Sequence, residues 1–223
     1  GTTTSTYTVR PVIGGTELAD GASATVWPSW INEVNLQGGR PSNTHRPNDI
    51  NVGDLDGDGN YELILKWYPD NAKDNSQTGA TQNTYLAAYK LDGSRLWIID
   101  LGINIRSGAH YTQHLVADFD GDGRAEVMCK TAPRTVDGLG KNLSTGPAAT
   151  EDQTKSYRDE SNGIISTGPE YLTVFNGQTG KEMATVRFLV ARGVPDSWGK
   201  IGDIMNRVDR YNSTIAYLDG KKP

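Results

Sequence analysis

Apolar residues in this chain fall in short runs broken by Gly, Asp, Asn and Pro, not in the wide stripes of amphipathic helices. Tyr7 to Arg10 with Val12 and Ile13, and then Ala24 to Trp27, alternate along two runs separated by Gly14-Gly15 and Asp20-Gly21, the pattern of strands joined by turns. Two such strands bury no core alone, so residues 1–36 read as the C-terminal part of a small β-sandwich domain. Residues 37–48, which include Gly38 to Asn48, have no periodicity and read as a linker. The longest 3.6-residue stripe runs only from Asp203 to Tyr211, which argues against a helical fold.

Residues 49–223 contain a repeat. The stretch Asp54-Leu55-Asp56-Gly57-Asp58-Gly59-Asn60-Tyr61-Glu62 with Leu63 to Trp67 returns 64 positions later as Asp118-Phe119-Asp120-Gly121-Asp122-Gly123-Arg124-Ala125-Glu126 with Val127 to Thr131. After the first copy come the strand Tyr85 to Tyr89, the turn Asp92-Gly93 and the strand Leu96 to Ile99. After the second come Tyr171 to Phe175, Asn176-Gly177 and Ala184 to Phe188. A unit of about four short strands in a repeat of this length predicts the blades of a β-propeller. A third unit begins at Ile215, with Tyr217 and Lys221 where Asp118 and Asp122 stood. The chain thus covers about two and a half blades of an incomplete ring, and the remaining blades are expected on further chain or a second polypeptide.

Composition supports a turn-rich all-β fold: 26 glycines among 223 residues are about 12%, against an ordinary ~7%. A net charge of −5 without a basic stripe argues against a nucleic-acid partner. No run approaches the roughly 18 apolar residues of a membrane helix. The single cysteine, Cys129, excludes an internal disulfide and a multi-cysteine metal site, and its place inside a strand predicts an inert packed thiol.

The repeated loops carry the most specific chemistry. Carboxylates occupy loop positions 1, 3, 5 and 9, with glycines at 4 and 6. Several carboxylates converge only where a cation offsets their repulsion, and hard oxygen donors in this number suit Ca²⁺. Asp54, Asp56, Asp58, Glu62 and the backbone carbonyl of Asn60 are expected around one ion. Asp118, Asp120, Asp122, Glu126 and the carbonyl of Arg124 are expected around another. An EF-hand would need Glu at position 12, where this chain has Leu65 and Cys129, so the loops should open into strands. Calcium would then cross-link turns in a cysteine-poor protein. The plainer alternative is a solvated Asp/Gly turn without an ion.

Other polar groups admit two readings each. His110 and His114 read as two strand periods apart on one face, roughly 13 Å, too far for a shared metal; each is either a hydrogen-bonded strand histidine or a substrate contact. Lys66 and Lys130 either pair with Glu62 and Glu126 on the same strand face or meet a substrate anion. Asn48-Asp49 is a cap or turn before the first acidic loop, or part of a site. Tyr68, Tyr111, Trp97 and Trp198 could stack on sugars, although most aromatics in such blades are core. Asn142-Leu143-Ser144 and Asn212-Ser213-Thr214 fit the glycosylation pattern, which matters in a eukaryotic secretory host. No nucleophile elbow, phosphate loop or dinucleotide fingerprint is present.

Seven segments in order, Asn51 to Gly59, Glu62 to Trp67, Lys73 to Gln77, Ala88 to Gly93, Ile105 to Gln113, Gly168 to Phe175 and Asn206 to Arg210, closely resemble the rhamnogalacturonan lyases of polysaccharide lyase family 11. The similarity runs from about Ser5 to Pro223. It implies an eight-bladed, calcium-loaded propeller behind a fibronectin-like β domain, in a secreted microbial enzyme that degrades the rhamnogalacturonan I backbone of pectin. It implies β-elimination: a galacturonate carboxylate is neutralised, a base removes the C5 proton, and the C4 oxygen link to rhamnose departs. Asn48 matches a sugar-contacting position of the family, whereas the residue after Lys66-Trp67, acidic in some members, is Tyr68 here. Lys130 and His110 become candidates for proton transfer, and Asn48, Lys66, Arg106 and Tyr111 for substrate binding. The rival reading is a non-catalytic calcium-braced propeller that binds glycans or proteins.

Overall fold

The computed structural model describes residues 5–19, 21–26, 31–190, 192 and 207–220. Trp27, Trp198, Lys221 and most of the stripe from Asp203 lie outside them. The chain divides into two compact units, Gly1–Asn35 and Leu36–Pro223.

In the first unit β1 (Ser5–Val9) pairs antiparallel with β4 (Ala22–Val26), and β2 (Val12–Ile13) with β3 (Thr16–Glu17). Gly14 and Gly15 both have positive φ, 59° and 82°, which the two-residue turn between β2 and β3 requires. Tyr7, Val9, Val12 and Ile13 are all exposed, as expected of strands too few to enclose a core.

The second unit holds two four-stranded antiparallel sheets, each in sequence order. The first is β5 (His45–Gly53), β6 (Glu62–Pro69), β7 (Tyr85–Tyr89) and β8 (Arg95–Asp100). The second is β9 (His114–Ala117), β10 (Glu126–Thr131), β11 (Tyr171–Phe175) and β12 (Glu182–Arg187). Among the described residues the only helical turns are two short 3-10 segments, Gly146–Ala149 and Arg207–Asp209, so the unit is all-β. The repeat is also a repeat of register: Leu63 faces Tyr89 and Trp67 faces Tyr85 in the first sheet, and Val127 faces Phe175 and Thr131 faces Tyr171 in the second. Acidic loops join β5 to β6 and β9 to β10 and short turns join β7 to β8 and β11 to β12, whereas long irregular segments join β6 to β7 and β10 to β11.

One apolar core spans both sheets. Leu55, Ile64, Leu86, Trp97 and Ile99 of the first pack with Val127, Cys129, Tyr171 and Phe175 of the second. Polar contacts pin the same seam: Trp97 Nε1 donates to the Gly177 carbonyl at 2.6 Å, and Ala125 N donates to the Asp54 carbonyl at 2.7 Å. The approach at Gly177 leaves no room for a side chain, since a Cβ there would lie 1.9 Å from the Ala125 oxygen.

Three sequence-based expectations need correction. Residues 45–48, read as linker, are the first half of β5; Pro47 and the unpaired bulge after it interrupt the apolar alternation that would have shown the strand. The segment from His110 is not a strand: β9 begins at His114, and Thr112 has φ +58°. Ile215 to Gly220 form no strand among the described residues, only a turn at its end.

Gly177→Ala should lower stability by about 1–3 kcal/mol or more, through overpacking at the seam between the sheets. Urea unfolding measures it, and an unchanged midpoint would contradict this packing.

Candidate functional site

The acidic loops connect β5 to β6 and β9 to β10. In each, the first aspartate turns the backbone around itself. Asp54 accepts the N–H groups of Gly57, Asp58 and Gly59 at 2.7, 3.1 and 2.9 Å, and Asp118 those of Gly121, Asp122 and Gly123 at 2.6, 3.0 and 2.9 Å. Gly57, Gly59, Gly121 and Gly123 all have positive φ, which explains why glycine recurs at positions 4 and 6. One carboxylate oxygen from each of Asp54, Asp56 and Asp58 lies within 4.8 Å of the others, and Asp118, Asp120 and Asp122 repeat the arrangement.

The position-9 glutamates are buried at the roots of the loops. Glu62 accepts Leu55 N and Glu126 accepts Phe119 N, both at 2.8 Å. Burial raises both carboxyls above the usual range, and the loop aspartates push in the same direction. Oxygen-only donors, convergence of three carboxylates and a buried Asp56 Oδ1 with no hydrogen-bond partner among the described residues fit a hard divalent cation such as Ca²⁺. The loops differ in one respect. Lys90 Nζ sits 2.6 Å from Asp56 Oδ2 and holds that carboxyl below its ordinary range, whereas the ladder places Asn176 at the corresponding position of the second sheet. The Arg124 side chain packs over Gly57, so the second loop leans on the first.

The lysines do not pair with the glutamates of their own strands. Lys66 is fully buried; its ammonium meets the Asp49 carboxylate and donates to the Tyr111 carbonyl at 2.7 Å. The one-residue bulge between Pro47 and Ile50 carries Asn48 and Asp49 and thereby aims Asp49 at Lys66. Burial pulls Lys66 below the usual lysine range, with Asp49 opposing. Lys130 pairs with Glu170 at 2.5 Å and Asp209 at 2.9 Å, under the rings of Phe188 and Tyr211. Arg192 bridges the same two carboxylates, and Asn75 donates to Asp209 at 2.9 Å. Burial alone would raise Asp209, but Lys130 and Arg192 hold its carboxyl below the usual range. Nothing in local spacing announces this cluster, because its members come from segments far apart in the chain.

Arg106 is also internal. It is buried, and its guanidinium donates to the carbonyls of Lys73, Asp74, Gln77, Gly79 and Gly163 at 2.5–3.2 Å. Tyr111 is buried, accepts Asn75 N at 2.8 Å, and has its hydroxyl pushed up by burial. Asn48 and His110 are exposed and Tyr68 is half-buried. His114 is buried, with Nε2 3.3 Å from the Ile64 carbonyl, and burial lowers its imidazole to about 4.

Residues 32–223 match the family model described as rhamnogalacturonan lyase family 11, C-terminal domain. The chain belongs to this family. It is 52% identical over 230 residues to the rhamnogalacturonan endolyase YesW of Bacillus subtilis (strain 168) and 46% identical over 231 residues to the rhamnogalacturonan exolyase YesX of the same organism. Each comparison covers 100% of this chain and 36% of the relative, so the chain spans about a third of the length of these family 11 lyases. The crystal structure of YesX aligns over 98% of the chain and 36% of YesX at a TM-score of 0.81. The Bacillus licheniformis rhamnogalacturonan lyase PL11 aligns at 0.80 and 49% identity, over 98% of the chain and 37% of that structure. The all-β architecture above is thus shared with solved family 11 lyases.

The buried His114 gives a pH test. Because its folded value lies near 4 and its unfolded value near 6.5, the unfolded chain binds the extra proton first as pH falls, and stability drops between those values. The full contribution is about 3 kcal/mol. His114→Gln should flatten the acid limb of a plot of urea stability against pH; an unchanged slope would show that His114 is not held neutral.

Proposed function

We propose that this protein is a rhamnogalacturonan lyase that cleaves the rhamnose–galacturonate backbone of rhamnogalacturonan I by β-elimination. The observation that carries the reading is the match of residues 32–223 to the family 11 domain, with relatives named as endolyase and exolyase at 52% and 46% identity. In this reading the two four-stranded sheets are blades of an eight-bladed propeller, completed by chain beyond these blades, and the protein works outside the cell on pectin. Repetition of strand order, register and acidic loop supports the blade assignment.

Asp54, Asp56 and Asp58 in the first loop, and Asp118, Asp120 and Asp122 in the second, would each hold a calcium ion, which would supply positive charge against the carboxylates and so fasten the loop. The chain's own residues divide by exposure. Asn48 and His110 are the candidates open to a polysaccharide: the Asn48 amide can hydrogen-bond sugar hydroxyls, and the His110 imidazole is the candidate for proton transfer. Lys66, Arg106, Tyr111 and Lys130 are assigned to the framework that fixes the surrounding loops, since their polar groups are occupied by Asp49, backbone carbonyls, Asn75, Glu170 and Asp209. The elimination needs removal of the galacturonate C5 proton, breakage of the C4–O bond and protonation of the departing rhamnose oxygen.

The protein incubated with rhamnogalacturonan I and calcium should produce the ultraviolet absorbance of unsaturated uronate, and His110→Ala should slow it at least about 100-fold. Absence of unsaturated product would overturn the lyase reading in favour of a calcium-braced binding module. Full activity of the variant would remove His110 from proton transfer.

A further inference from the structure

Lys66 and Lys130 are repeat equivalents, and each clasps the chain that leaves its own sheet. Lys66 donates to the Tyr111 carbonyl, in the segment after β8, at 2.7 Å. Lys130 meets Asp209, in the segment after β12, at 2.9 Å. Their second partners differ. Lys66 is the β6 residue that the bulge in β5 leaves opposite Asn48 and Asp49, and its ammonium meets the Asp49 carboxylate. The repeat equivalent of Asp49 is Gln113, and Lys130 takes Glu170 instead. The first sheet therefore has a joint that the repeat does not copy: one fully buried ammonium between two irregular segments.

The neighbours of its two partners in sequence are the exposed Asn48 and His110. Asn48 precedes Asp49 in the bulge. His110 lies in a turn that Tyr111 N closes on the Gly108 carbonyl at 3.1 Å. The base of that turn is tightly held. A Cβ on Gly108 would come 2.6 Å from the Tyr111 ring, the Tyr111 hydroxyl accepts Asn75 N at 2.8 Å, and Thr112 has φ +58°. Tyr111 thus offers its carbonyl to Lys66 from a backbone with little room to shift. A buried ammonium requires its acceptors at close range, because losing one leaves charge uncompensated. The bulge and the turn are held to the same point.

We propose that Lys66 is a positioning residue: through the Asp49 carboxylate and the Tyr111 carbonyl it locks the Asn48 bulge and the His110 turn into one unit. The use made of that unit rests on the lyase reading, in which Asn48 meets sugar hydroxyls and His110 moves a proton; the lock itself does not. Lys66 is fully buried and acts through these neighbours, not on the sugar. Groups from separate segments must be fixed relative to one another for catalysis by orientation, and a misplacement of about 1 Å costs on the order of 100-fold in rate.

Amide hydrogen exchange followed by NMR tests the lock from its far side. Asp49→Ala removes the acceptor on the bulge, where the Asp49 side chain is 39% exposed and its loss opens no core. Exchange of the Tyr111 amide, which closes the His110 turn, should rise at least about 10-fold. The Asn176 amide, bonded to the Lys181 carbonyl at 2.8 Å in the β11–β12 hairpin, should not change. Asp49→Asn keeps an acceptor for the ammonium and should restore protection. Unchanged exchange at Tyr111, an equal rise at Asn176, or no rescue by Asp49→Asn would each overturn the proposal. With rhamnogalacturonan I as substrate, kcat should fall at least about 10-fold in Asp49→Ala and recover in Asp49→Asn. Full activity of Asp49→Ala would overturn the positioning role. An unaltered protein that yields no unsaturated product would overturn the lyase reading alone, and the exchange rates would still decide the lock.

Discussion

Like charges held close together set the terms for this structure. In each acidic loop three carboxylate oxygens lie within 4.8 Å of one another, a separation at which each pair of unit charges repels by about 4 kcal/mol in the partly screened environment near a protein surface. The backbone N–H groups gathered by Asp54 and Asp118 offset part of that, and in the first loop Lys90 adds a side-chain cation. The loops cannot simply spread apart. Leu55, between two of the aspartates, is fully buried in the shared core, and the Asp54 carbonyl receives Ala125 N from the second sheet. Neutralising the acids and joining the sheets are therefore one problem, and a divalent cation bound by the trios would address both.

The sequence revealed what is local and periodic. The acidic loops, the strands after them and the four-strand unit could be read because turn residues and apolar alternation recur at fixed spacing, and the paired ladders of β6–β7 and β10–β11 follow that spacing. Long-range polar partners could not be read. Lys66 and Glu62 share a strand face, but four residues along a strand are about 13 Å, too far to pair; the partner of Lys66 comes instead from the bulge at Asp49. Arg106 looks in sequence like a hand for an acidic sugar, yet five carbonyls from two irregular loops need a donor, and it is the donor. Lys130, Arg192, Glu170 and Asp209 meet only because the chain returns after β12 to the second sheet.

Irregular segments thus rest on buried ionic and carbonyl clusters, while the regular sheets rest on apolar packing. That division leaves few functional groups free. Asn48 and His110 stand exposed, whereas Lys66, Arg106, Tyr111 and Lys130 are committed internally. Membership of family 11 directs attention to those two.

The most direct measurement is the number of calcium ions bound by metal-stripped protein, compared with Asp54→Asn and Asp118→Asn variants. If the aspartate trios hold ions, each substitution removes one ion from the count and the double variant removes two. A count unchanged by either substitution, or no calcium bound at millimolar concentration, would contradict cation bracing of the sheets.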